Sequence, residues 1–150
     1  IVTTDIGDAN DIHPKRKREV GRRLSLWARS QVYDQSVDSY SGPVIRHVDF
    51  SPADDPGSVI ITFDHADGGL ATRDNAPLGG FAVSSETNGT FHWAKATITG
   101  PDEVTLSCPG VLNPTAVCYA WQNNPESATL INGFGLPADG FQISEPESLP

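Results

Sequence analysis

The pattern of apolar and polar positions divides the chain into a short front segment and a longer β-rich part. Ile1-Val2-Thr3-Thr4-Asp5-Ile6 is rich in β-branched residues and ends at Gly7, which predicts a short strand. After a polar loop, Val20, Leu24 and Trp27 repeat at helical spacing, and Pro14 suits the first turn of a helix. We therefore predict a short strand over residues 1–6, a loop over residues 7–13 and a helix over residues 14–33.

Beyond residue 40 the helical period gives way to short apolar or alternating runs separated by turn sequences. Asp67-Gly68-Gly69 and Gly100-Pro101-Asp102 are typical of these turns, which recur about every ten residues. The predicted strands are Val44–Phe50, Val59–Phe63, Leu70–Arg73, Phe81–Ser84, Phe91–Thr99, Val104–Cys108 and Val117–Trp121. The prediction is a mainly β chain with an antiparallel β-sandwich. We divide it into the front segment 1–33, a linker 34–43, the sandwich 44–145 and a tail 146–150.

Charge is distributed unevenly along the chain. Residues 1–33 hold seven of the ten Lys and Arg residues and four of the 19 acids, so the rest of the chain is strongly acidic. An acidic body repels nucleic acid, so we expect no nucleic-acid partner, and Lys15-Arg16-Lys17-Arg18 is interpreted as a solvated face. No apolar run reaches the roughly 18 residues of a transmembrane helix, so no membrane partner is expected.

Two further features bound the chemistry. The chain starts at Ile1 and shows no signal peptide, so we expect it to be processed or truncated at that end. Cys108 and Cys118 are too few for a disulfide scaffold or a zinc site, and the histidines lack metal-ligand spacing. The two cysteines flank an apparent hairpin around Asn113, which leaves both a disulfide and two free thiols open.

The residues Asp11-Ile12-His13, just before the predicted helix, are the strongest candidates for chemistry. In a hydrolase of the Ser-His-acid type, the histidine takes the proton of the serine and a carboxylate fixes the tautomer of the imidazole. Asp11 stands two positions before His13, and Asp8 stands five positions before it. The alternative is an ordinary helix-entry loop with polar capping residues.

The run from Asp5 through His13 to Leu24 closely resembles the C-terminal catalytic block of bacterial sialate O-acetylesterase-like proteins. These proteins belong to the SGNH (GDSL-like) hydrolase superfamily. Further motifs resemble the C-terminal β-domain of that family, so the resemblance covers nearly the whole chain. They include Gly42-Pro43, Ile61-Thr62-Phe63-Asp64-His65, Tyr119-Ala120-Trp121-Gln122-Asn123-Asn124-Pro125 and Gly135-Leu136-Pro137-Ala138.

The resemblance implies an α/β/α hydrolase domain in which the serine nucleophile comes early and the histidine comes last. His13 matches that histidine, so residues 1–33 are expected to be the strand-loop-helix end of an SGNH domain. The superfamily pattern is Asp-x-x-His, but Asn10 occupies the aspartate position here. Asp11 is therefore the expected orienting acid, with Asp8 as its rival and a backbone carbonyl as a third option.

No serine of this chain sits in a Gly-Asp-Ser-type elbow. The nucleophile is therefore expected upstream, in a missing N-terminal SGNH portion or in a separate chain, and the chain alone is expected to be inactive. The resemblance implies a carbohydrate O-acetylesterase that cleaves acetyl esters on a sugar, sialic acid or a plant polysaccharide. It implies no metal or organic cofactor, and a secreted or periplasmic location.

The runner-up prediction is a non-catalytic β-sandwich module that binds carbohydrate or serves only for packing. Trp93 and Trp121, together with Tyr119, either line a sugar-binding face or fill the core of the sandwich. An aromatic ring offers a flat apolar face on which a pyranose can stack.

Overall fold

The computed structural model describes residues 1–13, 15–50, 52, 55, 57–86 and 89–145, which contain ten strands and one α-helix. Helix α1 spans Lys17–Gln31, and a 3-10 turn spans Arg73–Asn75. The strands are β1 Val44–Asp49, β2 Ser58–Asp64, β3 Leu70–Thr72, β4 Phe81–Ser84, β5 His92–Trp93, β6 Lys95–Gly100, β7 Glu103–Ser107, β8 Ala116–Tyr119, β9 Leu130–Asn132 and β10 Phe141–Ser144.

Two four-stranded antiparallel sheets form the body of the chain. The first has the strand order β1-β2-β7-β6, and the second has the order β10-β8-β4-β5. Strands β3 and β9 pair with each other in a separate two-stranded ribbon. The register pairs Val59 with Leu106 in the first sheet and Phe81 with Tyr119 in the second. The mainly β, antiparallel fold that was predicted is confirmed.

One apolar cluster is shared by the two sheets. Val59, Ile61 and Phe63 alternate with more exposed residues along β2, as expected where one face of an antiparallel strand is covered. From the second sheet, Phe81 and Tyr119 meet with their ring centroids 4.5 Å apart. The cluster also contains Phe50, Val83, Val104, Leu106, Val111, Val117, Leu130, Ala138 and Phe141. Burying each large apolar side chain contributes about 1.5–3 kcal/mol, so this cluster dominates the stability of the sandwich.

Tyr119 carries the one hydroxyl among the large side chains of this core, and the fold gives it a partner. The backbone N–H of Leu130 donates to the Tyr119 hydroxyl oxygen at 3.0 Å. Burial raises the pKa of Tyr119 to about 12, because the phenolate form would be poorly solvated there. The bond links β8 to β9, so the ribbon is attached to the second sheet through the core.

The structure differs from the predicted strands in three places. The predicted strand Phe91–Thr99 is divided at Ala94 into β5 and β6, and each part pairs with a different sheet. The predicted strand Val117–Trp121 ends at Tyr119, because Ala120 has a φ of 54° and leaves the extended conformation. Strands β9 and β10 were not predicted, since each has only three or four residues.

The front segment also differs from its prediction. Within the described residues, Ile1–Ile6 forms no strand, and the backbone turns so that Ile6 N–H donates to Thr3 O at 3.2 Å. A strand needs a partner for its backbone groups, and none of the described strands pairs with this segment. Helix α1 begins at Lys17, later than predicted, and Arg16 provides no side-chain cap. The start at Lys17 brings Glu19 into the first turn, where its carboxylate complements the helix dipole.

Parts of the sequence-based division remain predictions. Pro14, which was predicted in the first helical turn, and the predicted tail 146–150 both lie outside the described residues. The boundaries at residues 33 and 44 between front segment, linker and sandwich stay predictions as well.

Asn132 connects the segment that precedes β1 to the ribbon end of the sandwich. This residue, at the end of β9, is fully buried, with 0% of its surface exposed. Its Nδ2 atom lies 3.0 Å from both Ser39 Oγ and Ser41 O, and 3.2 Å from His65 O. Its Oδ1 atom accepts two backbone N–H groups of the loop 133–136. One amide therefore satisfies three segments that are distant in sequence.

We expect Asn132→Ala to lower the free energy of unfolding by about 3 kcal/mol, because buried backbone groups of three segments lose their partner. Urea denaturation of the chain, followed by tryptophan fluorescence, measures the change. The matched control is Asn123→Ala, an exposed asparagine that is expected to change stability by less than about 0.5 kcal/mol. An equally small effect of both substitutions would show that Asn132 does not hold this junction.

Candidate functional site

The loop between the first turn and helix α1 is held in shape by the two aspartates Asp8 and Asp11. The two residues form an isolated antiparallel bridge, and Asp11 N–H donates to Asp8 O at 3.2 Å. The Asp8 carboxylate also accepts the backbone N–H of Asn10 at 3.0 Å. A short polar side chain that bonds the backbone two residues ahead is typical of a tight turn. The loop that carries His13 therefore has a defined conformation.

His13 is next to Asp11 in this loop. His13 Nδ1 lies 3.1 Å from Asp11 Oδ1, and the backbone N–H of His13 donates to the same oxygen at 2.9 Å. The side chains of His13 and Asp11 are 77% and 41% exposed. With Nδ1 directed at the carboxylate, Nε2 is the ring nitrogen that can accept a proton. This is the histidine and acid arrangement that a general base requires.

Asp8, the rival acid, has a different partner. Its Oδ2 atom accepts a hydrogen bond from Lys15 Nζ at 2.9 Å, and the Lys15 ammonium holds the pKa of the Asp8 carboxyl below its ordinary value. Lys15 is the first residue of the basic run that was predicted from the sequence to be a solvated face. In this geometry Asp11 contacts the imidazole and Asp8 neutralises a lysine.

A buried arginine ties the front segment to helix α1. Arg23 is 4% exposed, and its guanidinium bonds both carboxylate oxygens of Asp5 at 2.7 Å. It also donates to Val2 O at 2.7 Å and to Glu19 Oε1 at 2.9 Å. A buried charge is tolerated only when it is paired, and these contacts meet that requirement. The chain before the His13 loop is therefore fixed to the helix that follows the loop.

We call this cluster of Asp5, Glu19, Arg22 and Arg23 the clamp, and it shifts the pKa values of Glu19 and of both arginines. Asp5 raises the pKa of the Arg23 guanidinium above its ordinary value, chiefly through the paired hydrogen bonds. Arg22 and Arg23 both donate to Glu19, and the bonds from Arg22 are the main reason that the pKa of Glu19 is about 2. This clamp was not predicted from the sequence. The sequence does indicate its Glu19–Arg23 pair, because residues four positions apart lie on the same face of a helix.

No serine nucleophile accompanies His13 in the described part of the chain. Ser25 Oγ donates to Arg22 O, and Ser41 Oγ donates to Gly42 O. Ser39 Oγ bonds the carboxylate of Asp67 at 2.8 Å. Among the described residues, no serine hydroxyl bonds to His13. The arrangement can therefore orient and deprotonate a group, but these residues do not supply that group.

The aromatic residues that were predicted to bind sugar or to fill the core differ in their exposure. Tyr119 belongs to the core, whereas Trp93 and Trp121 are each 62% exposed, so neither tryptophan fills the sandwich. Cys108 and Cys118 are both free thiols, and burial raises the pKa of Cys118. Within the described residues, no group of three His, Cys, Asp or Glu side chains could hold a metal ion. In the same part of the chain, no helix combines the length and the apolar character needed to cross a membrane.

The informative comparison with known proteins is the one with solved structures. No family model matches the chain, and no curated protein does either. Among solved structures, a carbohydrate acetylesterase from Xanthomonas citri matches with a TM-score of 0.83 and 37% sequence identity. The match covers 93% of this chain and 31% of that protein's chain. The chain is thus similar to a part of a carbohydrate acetylesterase, and the narrower resemblance to sialate O-acetylesterases stays a prediction.

The clamp predicts a defined pH dependence of stability. Because the pKa of Glu19 is about 2 in the folded chain and ordinarily 4.5, its stabilising contribution is complete above pH 4.5. This contribution is lost as the pH falls from 4.5 towards 2. We therefore expect Glu19→Gln to be less stable than the unsubstituted chain at pH 6, with the difference shrinking below pH 4.5. Urea denaturation at a series of pH values measures this difference.

Glu145→Gln, at an exposed glutamate just after β10, is the matched control and should show no such trend. A difference between Glu19→Gln and the unsubstituted chain that stays constant from pH 6 to pH 2 would contradict the ionic clamp.

Proposed function

We propose that this chain is the C-terminal part of a carbohydrate O-acetylesterase of the SGNH superfamily, and that His13 is its general base. The single observation that carries the proposal is the contact between His13 Nδ1 and Asp11 Oδ1, on a loop fixed at both ends. Two similarities support it. The sequence resembles sialate O-acetylesterase-like proteins around His13, and 93% of the chain matches part of a carbohydrate acetylesterase.

In the proposed reaction, His13 Nε2 removes the proton from a serine hydroxyl as that oxygen attacks the acetyl carbonyl. The serine comes from a segment outside these 150 residues. Collapse of the tetrahedral intermediate releases the sugar hydroxyl, which takes its proton from the imidazolium. Water then attacks the acetyl-serine and loses a proton to His13. Collapse of this second tetrahedral intermediate breaks the bond to the serine oxygen, which takes the proton back from the imidazolium, and acetate is released.

Asp11 acts through the imidazole. By accepting a hydrogen bond from Nδ1–H, its carboxylate keeps Nε2 unprotonated and stabilises the imidazolium that forms during each half-reaction. The backbone N–H of His13 bonds the same Asp11 oxygen, so the carboxylate is held on the side of Nδ1. Asp8 is assigned to the shape of the loop, since Lys15 and the Asn10 backbone already occupy its oxygens.

The substrate class proposed is an acetyl ester on a sugar, on sialic acid or on a plant polysaccharide. Ester hydrolysis by this route needs no metal ion or organic cofactor. The proposed partners are accordingly the O-acetylated saccharide and the N-terminal SGNH portion that carries the serine.

We expect His13→Ala to lower kcat/KM for p-nitrophenyl acetate about 10³-fold in the full-length polypeptide that contains these residues, because the serine loses its proton acceptor. His92→Ala, at an exposed histidine of β5, is the matched control and should retain activity. Initial-rate measurements with equal amounts of folded protein give the comparison.

The same assay separates the two acids. Asp11→Asn should lower kcat at least about tenfold, because the amide no longer favours the productive tautomer, whereas Asp8→Asn should have a smaller effect. An active His13→Ala enzyme would overturn the general-base assignment. A full-length polypeptide without activity on any acetyl ester would overturn the esterase proposal itself.

A second candidate function, a carbohydrate-binding sandwich without catalysis, is favoured by the placement of Trp121. Ala120 adopts a φ of 54°, and Gln122 N–H donates to Ala120 O at 2.9 Å, so Trp121 stands at the tip of a tight turn. A positive φ at a residue other than glycine costs about 1–2 kcal/mol. Strained turns of this kind are found where a side chain is presented for binding.

If this second function holds, Trp121→Ala should weaken binding of acetylated xylan about fivefold to tenfold, the loss expected for one stacked ring. Affinity gel electrophoresis of the 150-residue chain measures the retardation. Trp27→Ala, a half-exposed tryptophan on helix α1, is the control and should bind like the unsubstituted chain. Equal retardation of all three proteins, or none, would exclude binding through Trp121.

A further inference from the structure

A polar cavity lies between the loop that precedes His13 and the loops at one end of the sandwich. Its volume is about 310 Å³, a size in the range of small-ligand sites. Asp5, Asp8 and Asn10 line it from the front segment. Arg73, Asn124 and Glu126 line it from the sandwich. The cavity thus shares residues with the loop proposed to carry the general base.

The sandwich wall of this cavity is internally ordered. Asn124 Nδ2 donates to Glu126 Oε1 at 2.9 Å, and Glu126 N–H donates to Asn124 O at 3.0 Å. Arg73 N–H donates to Thr129 O at 2.8 Å, and the Arg73 guanidinium lies 3.4 Å from Glu126 O. These contacts hold an amide, a carboxylate and a guanidinium side by side.

Within the described residues, the two walls are not bonded to each other. The Asp5 carboxylate is occupied by Arg23 and the Asp8 carboxylate by Lys15, both within the front segment. In the described ranges, no hydrogen bond or ion pair joins Asp8 or Asn10 to Arg73, Asn124 or Glu126. A contact that served only to fix the loop on the sandwich would be expected to use these groups. Their separation leaves a cleft between two polar surfaces.

We propose that this cleft holds the sugar moiety of the acetyl ester, with Asn124 as a specificity-determining residue contributed by the sandwich. The inference rests on the proposed esterase function. Sugar hydroxyls both donate and accept hydrogen bonds, and the cleft offers amide, carboxylate and guanidinium groups that match both roles. An acetylated sugar in the cleft would have its ester close to the loop that carries His13.

The test compares two acetyl esters in the full-length polypeptide, one with a sugar and one without. The sugar substrate is a per-O-acetylated methyl glucoside, and the reference substrate is p-nitrophenyl acetate. Asn124→Ala should lower kcat/KM for the sugar substrate about tenfold more than for the reference, the loss expected for one hydrogen bond to substrate. Asn123→Ala, at the neighbouring exposed asparagine that does not line the cleft, should leave both rates unchanged.

The outcomes separate this inference from the proposed function. An unsubstituted polypeptide that cleaves neither ester would contradict the esterase function. Active enzymes in which Asn124→Ala lowers both rates equally, or neither, would contradict the sugar cleft while leaving the esterase function standing. Thermal melting of each variant identifies any loss that comes from unfolding. Glu126→Gln, which keeps the shape of the side chain, is a second variant. It is expected to lower kcat/KM for the sugar substrate more than kcat/KM for p-nitrophenyl acetate.

Discussion

The side-chain amide of Asn132 is the interaction on which the arrangement of this chain depends. The amide forms hydrogen bonds with the backbone of the segment before β1, of the turn after β2 and of the loop after β9. None of these segments could bury its backbone polar groups without such a partner. The backbones around it approach very closely. A Cβ atom on Gly42 would lie 1.9 Å from Pro137 O, so only glycine allows the chain to enter β1 there. The junction thus determines where the chain that comes from helix α1 meets the sandwich.

A different kind of interaction orders the front segment. Between Ile1 and His13, Ile6 is the one buried apolar residue, so hydrophobic packing alone could not fix the loop. Arg23 replaces that packing with a paired charge, because its guanidinium bonds a carboxylate on one side and a backbone carbonyl on the same segment. Residues 1–6, for which the sequence predicts a strand, are therefore held against helix α1 by electrostatic complementarity, and they fix the chain that enters the His13 loop.

The sequence predicted those parts of the structure that depend on local pattern. Alternation along β2 and β7 was sufficient to predict strands, and Asp11-Ile12-His13 was sufficient to select a candidate base. The sequence spacing left both Asp11 and Asp8 as candidates for the orienting acid, because a turn can bring either carboxylate to the imidazole. Only the structure shows that Lys15 is bonded to the Asp8 carboxylate. The cleft could not be predicted, since Asn10 and Asn124 are separated by most of the chain. Likewise, the exposure of Trp121 depends on the backbone conformation of Ala120.

The acids of the front segment find their partners within that segment. All four acids of residues 1–33 contact a cationic or imidazole group of the same segment: Asp5 with Arg23, Asp8 with Lys15, Asp11 with His13 and Glu19 with Arg22. Among the described residues, no ion pair crosses from this segment to the acidic sandwich. The front segment therefore holds its histidine with its own charges, because every acid near the loop has a local partner. Polar groups of the sandwich that line the cleft, above all Asn124, are consequently not needed to position the loop. They are the groups that we propose to bind the sugar.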